Sequence, residues 1–76
     1  KKAGGIALKL ICPGFIGMPD RLVLMPHGKV FFAEMKAPGQ IPRPVQVKRH
    51  EMLRKLGFKV YVVDSLEVLP NEVRTS

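Results

Sequence analysis

Apolar and polar positions alternate in short runs separated by glycine- and proline-rich breaks, a pattern that predicts strands far more than helix. Residues 6–11, Ile-Ala-Leu-Lys-Leu-Ile, are short and apolar enough for a buried strand. Residues 12–19, CPGFIGMP, form a loop in which Gly14 and Gly17 permit backbone angles closed to other residues. A hairpin of residues 20–26 and 29–36 follows, turning at Pro26-His27-Gly28 with a solvated His27 at its tip. The next stretch, APGQIPRP, excludes regular structure and makes a stiff, basic crossover. Helix is predicted from about Pro44, which suits the first helical position, until Gly57 ends it. Val45, Arg49, Met52, Leu53 and Leu56 fall on one side at helical spacing, with Lys48, Glu51, Arg54 and Lys55 opposite. Arg43 is a poor cap for this start. Residues 58–63 read as a β-rich strand, and Asp64 or Ser65 is placed to cap a short final helix through Val68 and Leu69, stopped by Pro70.

The order is therefore three strands, a helix, a strand and a short helix. The predicted fold is α/β, with the main helix long enough for a right-handed crossover that sets the last strand beside the hairpin. The first and last strands are apolar on alternate positions of both faces, and such sheets are covered on both sides. One substantial helix covers one face. The other is left to residues preceding Lys1, to the final short helix, or to a second copy of the chain.

At 76 residues the chain is expected to be one domain, residues 1–76, with a small core that a partner subunit would supplement. Its 13 Lys and Arg against 6 Asp and Glu give a net charge of +7, which favours a polyanionic partner such as nucleic acid. The single cysteine, Cys12, excludes an intramolecular disulfide and a cysteine-based zinc site. Neither a membrane-spanning run nor a signal-peptide pattern occurs, so a cytoplasmic location is expected. A start at Lys1-Lys2 instead of Met suggests that residues once preceded it.

The six acids matter most where two of them meet. Alternate side chains of a strand share a face, so Glu34 and Lys36 project together, and the hairpin brings Asp20 beside Glu34. Two carboxylates at short range resist joint ionisation unless a divalent cation lies between them. The arrangement asks for a metal.

Pro19-Asp20 on one strand, Glu34-Met35-Lys36 on the next and Gln46 on the following helix resemble the PD-(D/E)xK nuclease superfamily. Within it, GFIGMPDRLVLMPHGKVFFAEMKAPG, with Gln46, His50-Glu51, Leu53 and Leu56-Gly57, is similar to the VRR-Nuc family over nearly the whole chain. The resemblance implies a restriction-endonuclease-like core built on a mixed four-stranded sheet. It also implies catalytic roles for Asp20, Glu34, Lys36 and Gln46, and Mg²⁺ or Mn²⁺ held by Asp20, Glu34 and the main-chain carbonyl of Met35. Members usually begin with a helix bearing an acid that approaches the metals, and no residue here corresponds to it. Arg43 stands where a small helix-capping residue is usual.

Phosphodiester hydrolysis needs an activated water in line with the leaving oxygen and an offset for negative charge growing at phosphorus. Hard cations with oxygen ligands meet both needs. Lys36 is expected to orient the attacking water and stabilise charge. Gln46 is positioned to donate to a phosphate or metal-bound water while accepting from Lys36. Lys9, Arg43, Lys48, Arg49 and His50 are the expected nucleic-acid contacts, with Arg54 and Lys55 adding charge. No recognition helix or finger reads base edges, so shape-directed or weakly selective cutting is expected. The family resemblance, whose members are similar to Holliday-junction resolvases in assembly, implies branched DNA as the substrate and a homodimer as the active form. The competing expectation is a basic nucleic-acid-binding module without catalysis. A third, a small ribosome-like structural protein, accounts for the charge but leaves Asp20 and Glu34 unexplained.

Overall fold

A computed structural model describes residues 4–64. Its elements are strands β1 (Ile6–Lys9), β2 (Arg21–Met25) and β3 (Lys29–Met35), helix α1 (Pro44–Lys55) and strand β4 (Lys59–Val63). They form one four-stranded sheet in the order β1-β2-β3-β4. The first two pairings are antiparallel, and β3 pairs parallel with β4 across the α1 crossover. This is the mixed α/β sheet with one main helix that the sequence predicts. The short final helix lies outside the described residues.

The hairpin turns through Pro26–Gly28. There His27 takes φ 67° and Gly28 φ 75°, left-handed values that the glycine accepts freely and the histidine at a cost. The register sets Val23 opposite Phe31 and Arg21 opposite Ala33, so these side chains share one face. Val23, Phe31, Ala33 and Val63 make the buried cluster, flanked by Met25 and Tyr61, whose ring meets Phe31 edge-on at 5.2 Å. Glu34 and Val60 point to the opposite face, where α1 packs through Leu53. Both faces thus carry buried positions, as two-sided apolar strands require.

Two expectations need correction. The first strand ends at Lys9 and is exposed along its whole length, with Ile6 half accessible. It lies at the sheet edge, whereas α1 packs over β4 at the other side, too far to cover it. The buried side of α1 is also rotated from the apolar stripe, because Gln46, His50 and Leu53 are its buried residues while Leu56 is 67% exposed. Two polar side chains are turned inward because the sheet face beneath them carries Glu34.

The loop between β1 and β2 is tied at both ends. Leu10 N–H donates to the Asp20 carbonyl at 2.9 Å, and Arg49 Nε donates to the Ile16 carbonyl at 2.9 Å with its guanidinium 3.9 Å from the Phe15 ring centroid. Gly17, at φ 94°, lets the loop touch the helix: a Cβ there would lie 2.6 Å from the Val45 carbonyl oxygen. Backbone cannot yield as a flexible side chain can. Gly17→Ala is therefore expected to lower stability by roughly 3 kcal/mol, the sum of left-handed strain and the clash, as a drop in the urea midpoint.

Candidate active site

The geometry is set by a proline, a register and a helix. Pro19 is fully buried and fixes the backbone just before Asp20. Asp20 precedes the first paired residue of β2, so extending the Arg21–Ala33 register sets it opposite Glu34. The Met35 N–H donates to Asp20 Oδ1 at 3.1 Å, binding the acid to the neighbouring strand. Alternation on β3 then carries Lys36 to the same side as Glu34, and Lys36 N–H donates to the Val63 carbonyl to hold that strand end against β4.

Gln46 joins the parts from above. Its Oε1 accepts from Lys36 Nζ at 3.0 Å and from the Arg43 backbone N–H at 2.8 Å, while its Nε2 donates to Glu34 Oε2 at 3.3 Å. Lys36 and the Arg43 amide are donors only, so the atom facing them must be the oxygen, and the amide group has one possible orientation. The Arg43 bond is also half of a capping box: the third helical residue reaches back to the N-cap amide, although an arginine side chain has no acceptor to return the bond. The helix start that lacked a cap in the sequence is capped from inside. Gln46 accepts from Lys36 as expected, but its donor goes to Glu34.

Glu34 is 4% exposed. Burial and the Asp20 charge raise its pKa above 4.5, against the opposing pull of Lys36 and Arg43. Lys36 Nζ stands 4.0 Å from Glu34 Oε2, at the outer limit of an ion pair. On the other oxygen, Oε1, the nearest polar group is His50 Nε2 at 3.6 Å, and both atoms are buried without a hydrogen-bond partner. Burial, Arg54 and Lys36 push the His50 pKa below 6.5.

The structure therefore brings Asp20, Glu34, Met35, Lys36 and Gln46 together as the sequence expects. It moves His50 from the expected DNA-contacting rim to the interior, at 2% exposure, because the i, i+4 spacing from Gln46 points both over Glu34. That spacing was the signal available in the sequence for a role beside Glu34. Arg49 is likewise occupied by the loop instead of standing ready for a phosphate. Lys9, Arg43 and Lys48 are solvent-facing, on β1, at the N-cap and on α1 respectively. Arg54 is held by the Val60 carbonyl at 2.8 Å.

Among the described residues no three His, Cys, Asp or Glu side chains gather into a cage that could hold a metal ion. The acidic part of the site is Asp20 with Glu34. No helix among the described residues is long and apolar enough to cross a membrane.

This constellation has relatives. The chain is 50% identical over 68 residues to "Putative nuclease p44" of Acyrthosiphon pisum secondary endosymbiont phage 1, an alignment spanning 90% of this chain and 73% of that protein. A solved structure described as a VRR_NUC domain matches with a TM-score of 0.79 and 41% identity, over 86% of this chain and 71% of its own. No family model matches the sequence.

Proposed function

Because the chain belongs to the VRR-Nuc family of nuclease domains, we propose that it is a metal-dependent DNA endonuclease that hydrolyses phosphodiester bonds in branched DNA as a homodimer. The observation that carries the reading is the Gln46 hub. One buried amide fixes a lysine and a carboxylate on the same sheet end, opposite a second carboxylate.

The donor set fits a hard divalent cation. Two carboxylates opposed across adjoining strands, one of them buried and hard to ionise beside the other, form a site whose repulsion a cation would relieve. Mg²⁺ and Mn²⁺ take oxygen ligands and keep several waters, so a two-acid site suffices without a closed cage. Asp20, Glu34 and the Met35 carbonyl would hold the ion. When bound, it lowers the pKa of a coordinated water and offsets charge on the phosphate.

The chain's own groups do the rest. The Lys36 ammonium, steered by Gln46 Oε1, orients the attacking water and meets charge that grows on the phosphate oxygens. Gln46 Nε2 donates to Glu34 Oε2 and anchors that one oxygen. Arg43, exposed at the N-cap and near enough to pull on Glu34, is placed to receive backbone phosphate, and Lys48 and Lys9 add non-specific attraction. The net charge of +7 makes that attraction salt-dependent.

The test is incubation with Mn²⁺ and either an end-labelled four-way junction or circular DNA, which has no ends and so reports endonuclease action alone. Cutting of the junction in preference to the circle, lost in Lys36→Ala, supports the reading, and whatever cutting the circle suffers is endonucleolytic. Binding of the junction with no cutting by the parent chain overturns it and leaves a basic nucleic-acid-binding module.

A further inference from the structure

Glu34 Oε1 and His50 Nε2 are buried, unpartnered and 3.6 Å apart. An isolated buried carboxylate oxygen and an isolated buried imidazole nitrogen are each costly, and two that face each other at 3.6 Å are not independent accidents. With Glu34 in the ionised form that binds a metal, a bare lone pair on Nε2 would face a second lone pair on Oε1 and repel it. An N–H on Nε2 faces an acceptor, and a shift of a few tenths of an ångström closes the hydrogen bond. The helix supplies both constraints on Glu34 one turn apart: Gln46 Nε2 donates to Oε2, and His50 addresses Oε1.

We propose that His50 is a positioning residue for the reaction, carrying its hydrogen on Nε2 and holding Glu34 Oε1 so that the carboxylate is presented to the metal in one rotamer. This rests on the metal-dependent reading above. Carboxylates that bind metals are themselves held by hydrogen bonds, and removing such a partner typically weakens metal affinity by roughly 10- to 100-fold. Gln46 alone leaves the carboxylate free to swing about its Oε2 contact. With both donors in place, the carboxylate plane is fixed.

Calorimetric titration with Mn²⁺ compares the parent with His50→Gln, whose amide nitrogen can reach the position of Nε2, and with His50→Leu, which fills the space without a donor. The expected result is parent-like affinity in His50→Gln and a loss of about 10-fold or more in His50→Leu, with the metal-free melting temperature of His50→Leu no lower than the parent's. On the unaltered protein, nitrogen-15 imidazole spectra should show the His50 hydrogen on Nε2 and a shift of that signal on adding diamagnetic Mg²⁺. Equal affinity of parent and His50→Leu, or a hydrogen on Nδ1, overturns the assignment while leaving the nuclease reading intact. A parent that binds no Mn²⁺ at all overturns both.

Discussion

Glu34→Gln is expected to reduce strand cleavage by roughly 10³-fold or more, the scale on which enzymes lose rate when a group acting on developing charge is removed, and at the same time to make the metal-free protein more stable. The two effects have one origin. Glu34 is buried and faces Asp20, and together these raise its pKa above 4.5. A carboxyl group whose folded pKa exceeds its unfolded value contributes stability that is fully present below the unfolded pKa and is lost as pH rises through the folded one. The parent should therefore lose stability relative to Glu34→Gln as pH climbs from about 4.5, with the gap widest at neutral pH. Urea midpoints of the two proteins in chelator, measured at neutral pH and near 4.5, check the sign. Added Mn²⁺ should stabilise the parent and leave the variant unmoved. A variant that still cuts the junction would remove Glu34 from the reaction centre.

Gln46→Leu should have the second-largest effect, because one side chain makes three bonds. Its loss leaves the Arg43 amide, Lys36 Nζ and Glu34 Oε2 each short of a partner, at a cost of about 2–3 kcal/mol in stability. Cleavage should fall about 100-fold as Lys36 loses its steering contact. Gln46→Glu separates the contributions. It keeps the acceptor for Lys36 and Arg43 but replaces the donor to Glu34 with a second acceptor and sets two carboxylates against each other, so only part of the stability should return. Activity should stay low. Denaturant midpoints and initial cleavage rates on one substrate measure both; if Gln46→Glu cuts as fast as the parent, the bond to Glu34 is irrelevant to the chemistry.

Much of this was legible in the residue order because strands obey a simple parity. The turn at Pro26–Gly28 fixes the hairpin register, the register sets Asp20 opposite Glu34, and alternation puts Lys36 on the same side. The inward face of α1 was legible only in part: Gln46 is expected to reach Lys36, and does, while His50 is expected at the DNA-contacting rim and is buried instead. Hydrophobic spacing selects Val45, Arg49, Met52, Leu53 and Leu56, whereas burial selects Gln46, His50 and Leu53. A wheel ranks side chains by their distaste for water, whereas Gln46 is turned inward by its hydrogen bonds to Lys36 and Glu34, and His50 follows one turn on beside the same carboxylate. The capping of α1 was missed for a related reason: the preferences that make Arg43 a poor cap concern its own side chain, while the bond comes from Gln46. The exposed β1 shows the opposite error. Its apolar run satisfies the pattern of a covered strand, but its place at the sheet edge leaves it uncovered.

The crossover between β3 and β4 has a consequence for the timing of assembly. The antiparallel hairpin joins neighbours in the chain and can close within microseconds, whereas parallel pairing must wait for the intervening helix to be drawn across. Asp20 and Glu34 lie with the hairpin, and Gln46 and His50 lie on the helix that the crossover places. The two acids are thus brought together by contacts close in the chain, while the side chains that hold them depend on the longer-range crossover.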